Sequence, residues 1–405
     1  MIGLKSAVRR CLRPLNWFRG KTILLVLSPI LVLVFNEYLI FYLALFRCNW
    51  PSLSAPGNKN SFNATNVLIL ADTHLLGIYR GNRFDKLKRE WQMYRSFQTA
   101  ISMFNPEAVF FLGDLLDEGL LGLDSLFNTY VEQFDALFYT PEKTKRFYVA
   151  GNHDIGFHHE IYPMRLNRFS RSFGVPPAVQ QIELNGNIII LLNSMAMEGD
   201  GCRLCGEAER EIERIGRLLN CTRKFAEDCK GKLQIAYSRP IIMQHFPLFR
   251  RSDEVDCEET ADLAPINILS QKFRPRFDCL SKDSTKYLVD MLRPRAVFGG
   301  HTHYGCRKWW RSPANLWEYT VPSLSWRNNR RPSFLLVSLS PSELKVESCF
   351  LPDEYYVIAS YVVFLVIWLT AVLFNCISLC KRMKRSKVCK NLTPSLTNVG
   401  KVNIE

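Results

Sequence analysis

Seven polar side chains, each at the end of a short apolar run or just after it, are of the types that bind metal ions. They are Asp72, His74, Asp114, Asn152, His245, His301 and His303. All are oxygen or nitrogen donors without a thiolate, and such sets suit Mn, Fe or Zn rather than Cu(I) or an iron–sulfur cluster. Asp114 brings two carboxylate oxygens, so it is the natural bridge between two ions. The pattern predicts a pair of divalent metals.

A pair of divalent metals would support one class of reaction in particular. Ions about 3.5–4 Å apart can share a water, lower its pKa to about 7 and stabilise both the attacking and the leaving oxygen of an in-line displacement. Because only Asp72 and Asp114 bring negative charge to two dications, the site stays positive and attracts an anion. His153, next to Asn152, is free to protonate the leaving oxygen, with a carboxylate to orient it. These features favour the hydrolysis of phosphate esters.

The apolar runs that precede these ligands are typical of strands buried on both faces. They are short, rich in β-branched and aromatic residues, and bounded by Gly, Asn or Asp. Because layered sheet folds place their sites at the carboxyl ends of strands, we expect the seven side chains to meet at one rim. One further run ends in Asn193, which is not a strong ligand, and is interpreted as scaffold. Helices are predicted over 85–104 and 207–219, and a closing hairpin over 334–339 and 345–350.

Two long apolar stretches, residues 23–46 and 356–380, are each about the length of a bilayer span. Basic residues precede the first and follow the second, so the positive-inside rule predicts both termini in the cytosol. The chain then divides into a cytosolic N-terminus (1–22), a first span, a luminal linker (47–65), a luminal catalytic domain (66–351), a second span and a cytosolic tail (381–405). A cleaved signal peptide is the alternative for the first stretch, but its apolar part is longer than a signal peptide requires.

The net charge of +14 belongs mainly to the two ends of the chain. Residues 1–46 carry +5 and residues 356–405 carry +6, which leaves only +3 for residues 47–355. Because the basic residues flank the apolar stretches, they fit membrane anchors and not a nucleic-acid surface. We therefore expect no nucleic-acid partner.

Nine of the 13 cysteines lie between residues 47 and 355, where an oxidising lumen permits disulfides. Four of them are close in sequence, namely Cys202, Cys205, Cys221 and Cys229. The pair Cys202-x-x-Cys205 also has the spacing of zinc ligands, but disulfides are the favoured interpretation. The sequons at Asn63 and Asn220 are predicted glycosylation sites on the luminal side.

Taken in order, the motifs resemble the five-block signature of the calcineurin-like metallophosphoesterases. The blocks are Asp72-x-His74, Gly113-Asp114-x-x-Asp117, Gly151-Asn152-His153-Asp154, His245 and Gly300-His301-x-His303. The resemblance implies an α/β fold, a four-layer sandwich of two mixed β-sheets flanked by helices. It also implies one metal on Asp72, His74, Asp114 and His303, and the other on Asp114, Asn152, His245 and His301. Asp117 would pair with the catalytic His153, and because no ligand is missing we expect an active enzyme.

The two spans and the segment from Tyr319 to Asn328 resemble a membrane-bound subfamily of these enzymes. That subfamily removes a side-branch ethanolamine phosphate from a mannose of GPI anchors, which assists export from the endoplasmic reticulum. The resemblance implies a phosphodiesterase with two divalent ions, expected to be Mn²⁺, and GPI-anchored proteins as substrates. It also implies residence in the endoplasmic reticulum, its exit sites, the intermediate compartment and the Golgi, with cargo receptors or coat adaptors of export as partners. The alternatives are a luminal phosphomonoesterase or protein phosphatase of the same fold, and a cargo-binding membrane adaptor with a residual metal site.

Four residues near the ligands are expected to contact the substrate, namely Arg250, Arg251, Trp326 and Arg327. Arginine pairs with phosphate, and tryptophan stacks on sugars. For the tryptophan, the alternative is a core or membrane-interface anchor. The long segment 246–292 between two ligand-bearing strands is either a structural excursion or a cap that shapes the substrate site.

Overall fold

Strands and helices alternate through the part of the chain that carries the predicted ligands. The structure is a computed structural model that describes residues 23–53, 64–223 and 237–392, with side chains to residue 381. Phe41–Asp353 forms one compact unit, and the chain before and after it forms a second. In chain order the strands are β1 (Thr65–Leu70), β2 (Ala108–Leu112), β3 (Lys145–Val149), β4 (Val179–Leu184), β5 (Asn187–Leu192), β6 (Ile241–Gln244), β7 (Ala296–Gly299), β8 (Cys306–Trp310), β9 (Leu316–Thr320), β10 (Ser333–Leu339) and β11 (Leu344–Phe350).

The described helices lie between these strands and at both ends of the chain. They are α1 (Ile23–Leu45), α2 (Arg83–Phe104), α3 (Asp124–Leu137), α4 (Asn152–Ile155), α5 (Pro163–Phe173), α6 (Arg203–Arg223), α7 (Asp253–Asp256), α8 (Ile266–Leu269), α9 (Lys282–Leu292) and α10 (Glu354–Leu392). Short 3₁₀ turns occur at His158–Glu160 and Ser194–Ala196. Helix α2 begins two residues earlier than predicted because the Asn82 side chain accepts a hydrogen bond from the Asp85 amide at 2.8 Å and caps the helix.

Both sheets are mixed, with parallel strands at their centres. The first has the order β11-β10-β1-β2-β3, and β1, β2 and β3 run parallel. The second has the order β4-β5-β6-β7-β9-β8, and β5, β6, β7 and β9 run parallel. Strands β10 and β11 form the predicted closing hairpin, with Leu339 opposite Leu344. Parallel strands that share a direction bring their carboxyl ends to one edge, where the predicted ligands follow.

The core has two levels because side chains on a strand alternate between its faces. Ile69 and Phe110 of the first sheet join Met243 and Phe298 of the second in one apolar cluster between the sheets. On the outer faces, strand side chains join a second cluster with helix residues such as Phe97 of α2. The molecule therefore has the layers helix, sheet, sheet, helix, which confirms the predicted sandwich of two mixed sheets.

Part of the predicted linker is attached to the catalytic domain. Cys48 forms a disulfide with Cys349 of β11, and the Trp50 indole N–H donates to the Phe104 carbonyl at 3.1 Å. These contacts make residues 48–53 part of the domain rather than a free connection. Residues 54–63 of the linker lie outside the described ranges.

Two further disulfides agree with the expectation for residues 47–355: Cys202–Cys205, in the cysteine-rich segment, and Cys257–Cys306. Cys221 is also disulfide-bonded, and Cys229 lies outside the described residues. Among the described cysteines, Cys279 is a free thiol buried in the domain.

Within the described residues, two helices are long and apolar enough to cross a membrane by length and composition, Ile23–Leu45 and Glu354–Lys381. Most of their side chains are exposed, as expected for lipid-facing helices. A few polar contacts join them: the Ser360 hydroxyl donates to the Asn36 side chain, and the Trp368 indole N–H donates to the Leu25 carbonyl, both at 2.8 Å. These helices correspond to the two predicted spans.

Candidate metal centre

The seven predicted ligands follow five parallel strands, and their backbone turns sharply there. Asp72, His74, Asp114, His301 and His303 all have a left-handed backbone, with φ between 44° and 75°. Such a conformation costs a non-glycine residue of the order of 1–3 kcal/mol and persists only where its surroundings hold it. Here backbone hydrogen bonds between neighbouring strand ends stabilise the conformation. The amide of Asp72 donates to the Gly113 carbonyl at 3.1 Å, and that of His74 donates to the Asp114 carbonyl at 2.9 Å.

The first donor group consists of Asp72, His74 and His303, with Asp114 beside it. The Nε2 atoms of His74 and His303 lie 3.1 Å apart, and each is 3.7 Å from Asp72 Oδ1. Asp114 Oδ2 lies 3.5 Å from His74 Nε2. Metal–ligand bonds of about 2.0–2.2 Å place neighbouring donors around one ion about 3–3.8 Å apart, depending on the angle between them, so these spacings fit a single ion.

The second donor group lies on the other side of Asp114. Asp114 Oδ2 is 3.4 Å from His245 Nε2, and Asn152 Oδ1 is 3.2 Å from the same nitrogen. A donor atom of His301 completes a group with Asp114 and His245 in which all three lie within 4.8 Å of one another. One carboxylate oxygen of Asp114 thus faces an imidazole of each group, which is the position of a bridging ligand.

Three histidines have one ring nitrogen occupied and the other directed to the centre. His245 Nδ1–H donates to the Leu112 carbonyl and His301 Nε2–H to the Phe277 carbonyl, both at 2.8 Å. His74 Nδ1–H donates to Asp117 Oδ1 at 3.3 Å. Metal-binding histidines are oriented in this way by acceptors behind them.

Two buried polar atoms of the centre, Asp72 Oδ1 and His301 Nδ1, have no hydrogen-bond partner within the described structure. Burying an unpaired polar atom is costly, and cations at the two donor groups would satisfy both. The donor types, their spacing and these unpaired atoms therefore fit two divalent metals.

Glycines in the motifs leave room for the ligands. A Cβ atom on Gly113 would lie 2.6 Å from His245 Nδ1, and one on Gly300 would lie 2.7 Å from Asp72 Oδ2. Gly113 also has φ of +89°, which favours glycine. The motif glycines are needed because backbone and ligand side chains approach one another closely.

The carboxylates create a strong negative potential at the centre. Burial opposes a charge on His74, but hydrogen bonds to Asp117 and Asp72 and the charge of Asp114 outweigh it and raise its pKa to about 10. For His245, burial is outweighed by the charge of Asp114, and the pKa rises to about 9. Burial lowers the pKa of His301 to about 3 and that of His303 to about 4, and the positive charge nearby adds to this. The field therefore attracts cationic charge to the point where the two donor groups meet.

The predicted catalytic pair lies at the open side of the centre. Asp117 is buried, whereas His153 has about a third of its side chain (35%) exposed. His153 Nδ1 lies 3.4 Å from the Asp117 carbonyl oxygen and 3.7 Å from its Oδ1, and the ring packs edge-on against His74 at 4.7 Å. The His153 amide also donates to Asp114 Oδ1 at 2.8 Å. The backbone of His153 is thus tied to the bridging residue, and its ring lies against Asp117.

Arg327 is the predicted substrate residue that the structure brings to the site. Its Nη1 atom lies 2.8 Å from Asp117 Oδ2. Burial opposes ionisation of Asp117, but the hydrogen bond from His74 and the charge of Arg327 lower the pKa of its carboxyl group. Arg80, which the sequence did not indicate, lies 3.4 Å from the same oxygen with half of its side chain exposed. No motif surrounds Arg80, so only its place in the fold identifies it.

Arg250 is not exposed to a substrate, contrary to the expectation of substrate contact, although its Nη2 donates to the hydroxyl of Thr302, between the ligands His301 and His303, at 3.4 Å. It is fully buried, 2.8 Å from Asp253 Oδ1, and its Nη1 donates to the Thr320 hydroxyl at 2.6 Å. Its role in this structure is to join the segment after β6 to β9. The neighbouring Arg251 is largely exposed, and its amide donates to Asp256 at 2.7 Å. The chain from Ile241 to Leu248 is buried throughout, and it first becomes exposed at Arg251.

Trp326 is also buried, which corresponds to the core alternative and not to sugar stacking. Its indole N–H donates to the Pro352 carbonyl at 2.9 Å, and its ring packs against Phe41. Only 6% of this residue is exposed. The indole therefore anchors the end of the catalytic domain.

Asp154, the last residue of the third motif, supports the loops around the centre. Its carboxylate accepts hydrogen bonds from the amides of Gly151, Leu115 and Leu116 at 2.8–3.3 Å. Glu118, which sequence reasoning missed, holds the loop before α2 in a similar way. It accepts from the amides of Tyr79 and Arg80 and from the Tyr130 hydroxyl.

One of the two predicted glycosylation sites lies within the described residues. Asn220 is exposed near the end of α6, and its side chain accepts from Arg223 at 3.0 Å. Asn63 lies outside the described residues. Modification of either residue remains a prediction.

Comparison with known proteins agrees with this geometry. Residues 65–305 match the model of the family described as calcineurin-like phosphoesterase. The chain is 42% identical over 335 residues to metallophosphoesterase 1 of Ailuropoda melanoleuca, covering 82% of this chain and 84% of that protein. It is 40% identical over 341 residues to metallophosphoesterase 1 of Danio rerio, covering 83% and 87%. The metallophosphoesterase 1 homolog of Caenorhabditis elegans is 41% identical over 349 residues, covering 85% and 89%.

Solved structures are more distant. A dimetal phosphatase from Danio rerio superposes with a TM-score of 0.40 at 14% identity, covering 71% of this chain and 99% of that one. A purple acid phosphatase from yellow lupin gives a TM-score of 0.46 at 12% identity, covering 72% and 53%. The family match and the identity to the curated relatives decide the assignment. The chain belongs to the calcineurin-like phosphoesterase family and is a metal-dependent phosphoesterase.

Proposed function

We propose that this protein is a two-metal phosphodiesterase that removes the side-branch ethanolamine phosphate from a mannose of GPI anchors and so aids their export from the endoplasmic reticulum. The observation that carries the two-metal part is the placement of Asp114 Oδ2, 3.5 Å from His74 Nε2 and 3.4 Å from His245 Nε2. Two donor groups that share one carboxylate are suited to two ions side by side. When bound, such ions activate a water and stabilise charge on the phosphoryl oxygens.

The residues of the chain would divide between binding the ions and completing the reaction. Asp72, His74, Asp114 and His303 are assigned to one ion, and Asp114, Asn152, His245 and His301 to the other. His153 and Asp117 are assigned to proton transfer. The His153 ring has Nδ1 next to Asp117, which leaves Nε2 to face the exposed side.

We therefore assign to His153 Nε2 the proton that is donated to the leaving alkoxide. An ethanolamine phosphate attached to mannose has an alkoxide leaving group on either side of the phosphorus, and such groups need a proton as the bond breaks. Asp117 would stabilise the protonated ring through its carboxylate. Arg327 holds that carboxylate from the other side at 2.8 Å, so the orientation of the pair is fixed before the substrate arrives.

Charge at the site supports an anionic diester as substrate. Two dications would face the two carboxylates Asp72 and Asp114, and the Arg80 and Arg327 guanidinium groups lie beside them. The site as a whole stays positive, which favours an anionic phosphate ester such as a diester. We further assign Mn²⁺ as the ion in both positions, in line with a donor set of oxygen and nitrogen without thiolate.

The two membrane-type helices support a substrate that is itself attached to a membrane. Our proposal places the catalytic domain in the lumen of the early secretory pathway and both termini in the cytosol. GPI-anchored proteins are the proposed substrates, and cargo receptors or coat adaptors of export the proposed partners. Asn63 and Asn220 would then be glycosylated.

The decisive experiment compares surface GPI glycans of cells that lack the protein after expression of wild type, Asp72→Ala or His153→Ala. Wild type should remove the mannose-linked ethanolamine phosphate, whereas both variants should leave it in place. His159→Ala is the matched control because that side chain is exposed (63%) and is assigned no catalytic role. Equal glycans in all four samples would rule out the GPI substrate.

A second measurement separates the proposal from the other enzymes and from an adaptor. Purified full-length protein with Mn²⁺ should hydrolyse a mannose-linked ethanolamine phosphodiester faster than a sugar phosphomonoester or a phosphopeptide. A preference for the monoester would favour a phosphomonoesterase. Absence of hydrolysis, together with rescue of export by His153→Ala, would favour the adaptor.

A further inference from the structure

A second group of metal-type side chains lies outside the catalytic centre, where the segment after β5 meets the start of α6. It consists of His158, Asp200, Cys202 and Cys205, and a donor atom of each lies within 4.8 Å of the others. Asp200 Oδ2 is 2.8 Å from His158 Nε2, and Asp200 Oδ1 is 3.3 Å from Cys205 Sγ. The group thus combines two sulfurs, one imidazole and one carboxylate.

Backbone contacts hold these donors in place. The Cys205 amide donates to Cys202 Sγ at 2.9 Å, and the Cys202 amide donates to Asp200 Oδ1 at 3.0 Å. His158 Nδ1–H donates to the Met195 carbonyl at 3.1 Å, which leaves Nε2 as the nitrogen available to a ligand. A backbone acceptor behind the ring is the usual arrangement for a metal-binding histidine. Two separate segments of the chain, one around His158 and one from Asp200 to Cys205, therefore supply a convergent donor set.

In this structure the two sulfurs form the Cys202–Cys205 disulfide. A crosslink between residues three apart removes little chain entropy from the unfolded state, whereas the Cys48–Cys349 bond closes a loop with a separation of 301 residues. The short bond therefore contributes little to stability as a crosslink. Its sulfurs can serve another role at small cost to the fold.

We propose that His158, Asp200, Cys202 and Cys205 form a third metal site that binds one Zn²⁺-type ion when the two cysteines are reduced. A dithiol reductant breaks the S–S bond, takes up the oxidation as its own disulfide and delivers two electrons and two protons to the cysteines. The ion then displaces the two thiol protons and binds both thiolates. Exchange with a disulfide oxidant, which takes up the two electrons and leaves as two thiolates, re-forms the Cys202–Cys205 bond, removes the sulfur ligands and releases the ion.

The donor types separate this site from the catalytic centre. Thiolates favour Zn²⁺ over Mn²⁺, whereas the catalytic donors are oxygen and nitrogen alone. Access is available, because His158 and Cys202 line a cavity of about 380 Å³ together with Arg203 and Glu207. Asp200 is exposed at the edge of the group, while Cys205 is fully buried. An ion can thus enter from solvent and be held against the helix.

A bound ion would fasten the segment around His158 to the segment that leads from Glu198 into α6. Glu198 of that segment lies 3.0 Å from Arg276, and the Arg276 guanidinium also donates to the Glu198 carbonyl at 3.2 Å. The next residue, Phe277, provides the carbonyl that orients His301. The third site is therefore part of the framework around the catalytic centre, without sharing a ligand with it.

Cobalt provides a test that the catalytic centre cannot imitate. Full-length protein is treated with a dithiol, freed of it and titrated with Co²⁺, and thiolate-to-cobalt charge-transfer absorption in the near ultraviolet is recorded. Wild type should give this band with one cobalt per chain, and Zn²⁺ should displace it. Cys202→Ser/Cys205→Ser should abolish the band, and His158→Ala should weaken cobalt affinity by about tenfold or more.

Matched variants keep the test decisive. Reduction also frees Cys257 and Cys306, which form a further potential donor group with Asp253, so Cys257→Ser/Cys306→Ser is the control and should retain the band. Unchanged phosphodiester hydrolysis by Cys202→Ser/Cys205→Ser shows that this variant is folded. A band that survives in Cys202→Ser/Cys205→Ser, or no band in wild type once thiol counting shows both cysteines reduced, would overturn the proposal.

Discussion

Asp117 is a buried carboxylate that contacts several other side chains of the site. It accepts from the ligand His74, faces His153 and is held by Arg327 at 2.8 Å. The ligand and the proposed proton donor therefore share one acceptor. Because a charged hydrogen bond in a buried site is worth about 1.5–3 kcal/mol, such contacts set geometry as well as charge.

Replacement of His153 by alanine should lower kcat by about 10²- to 10⁴-fold, the usual contribution of a positioned general acid. Bound metal should stay at two ions per chain, because His153 is not among the assigned ligands. The loss should be smaller for a diester with an aryl leaving group, which departs without a proton. Steady-state kinetics on both substrates and metal analysis check this. An equal loss for both leaving groups would contradict the role in protonation.

Replacement of Arg327 by methionine should lower kcat/KM by about 10- to 100-fold, because one charged hydrogen bond to Asp117 is lost. Arg217→Met is the matched control, since that side chain is largely exposed and 3.3 Å from Glu213. It should leave kcat/KM within about twofold, as surface ion pairs contribute little. Similar losses in the two variants would argue against a specific role for Arg327.

At the scale of elements, the site depends on turns at the ends of parallel strands. Five ligands have a left-handed backbone, and the strand ends are tied by hydrogen bonds such as that from the Gly300 amide to the His245 carbonyl at 2.7 Å. The hydrogen bonds of the two flanking sheets stabilise these strained turns. Ligand positions are therefore set by how the two sheets meet as well as by each strand.

Substitution of Gly113 by alanine should disturb the centre through contact with a ligand. Its Cβ atom would lie 2.6 Å from His245 Nδ1, so this ring or the backbone must move. We expect loss of at least one of the two ions. Activity should fall more than tenfold, because a shift of reacting groups by about 1 Å is enough to cause such a loss. Metal analysis and kinetics measure both effects.

Gly174→Ala is the matched control for this substitution. Gly174 also has a positive φ, +66°, but a Cβ atom there would have nothing within 4 Å. It should show only the backbone cost, of the order of 1 kcal/mol, with full metal content and activity. If both variants lost metal equally, backbone strain and not contact with His245 would be the cause.

At the scale of the whole molecule, covalent and ionic links act over long sequence distances. The Cys48–Cys349 disulfide joins the start of the catalytic domain to its last strand. The two donor groups join strands from both sheets. Each link connects parts of the chain that are also held together by the hydrophobic core. Removal of a link should therefore destabilise the fold without abolishing it.

The double variant Cys48→Ser/Cys349→Ser should lower the free energy of unfolding by about 2–5 kcal/mol, the usual range for a native disulfide. Cys202→Ser/Cys205→Ser, which opens a loop of only a few residues, should cost less. Thermal unfolding of both variants in the same detergent gives the comparison. A lower Tm for Cys202→Ser/Cys205→Ser than for Cys48→Ser/Cys349→Ser would show that loop length does not determine how much each disulfide stabilises the fold.

Removal of divalent ions should lower both activity and Tm. A ligand present at 100 times its Kd stabilises the folded state by about 2.7 kcal/mol per site. Chelation of wild type should therefore produce a clear fall in Tm, and Mn²⁺ should restore it. Asp114→Asn should respond weakly, because Asp114 faces both donor groups. An identical response in the two proteins would place the stabilising ions elsewhere.

The sequence by itself determined the family, the donor set and the two apolar helices. This was possible because the signals are local: a ligand follows each buried strand within a few residues, and a bilayer span needs only length and composition. Helix and hairpin positions followed from the same periodicities, with small shifts such as the start of α2 at its Asn82 cap.

Only the tertiary structure decided where side chains beyond the motifs lie. Arg250 and Arg327 look equally suitable in sequence, but Arg250 is buried against Asp253 and Arg327 contacts Asp117. Arg80 and Glu118 carry no sequence signal at all; the Arg80 amide donates to the Glu118 carboxylate, and the Arg80 side chain reaches Asp117. The physical reason is that, once a strand ends, the direction of a side chain depends on turns and on packing between segments distant in sequence.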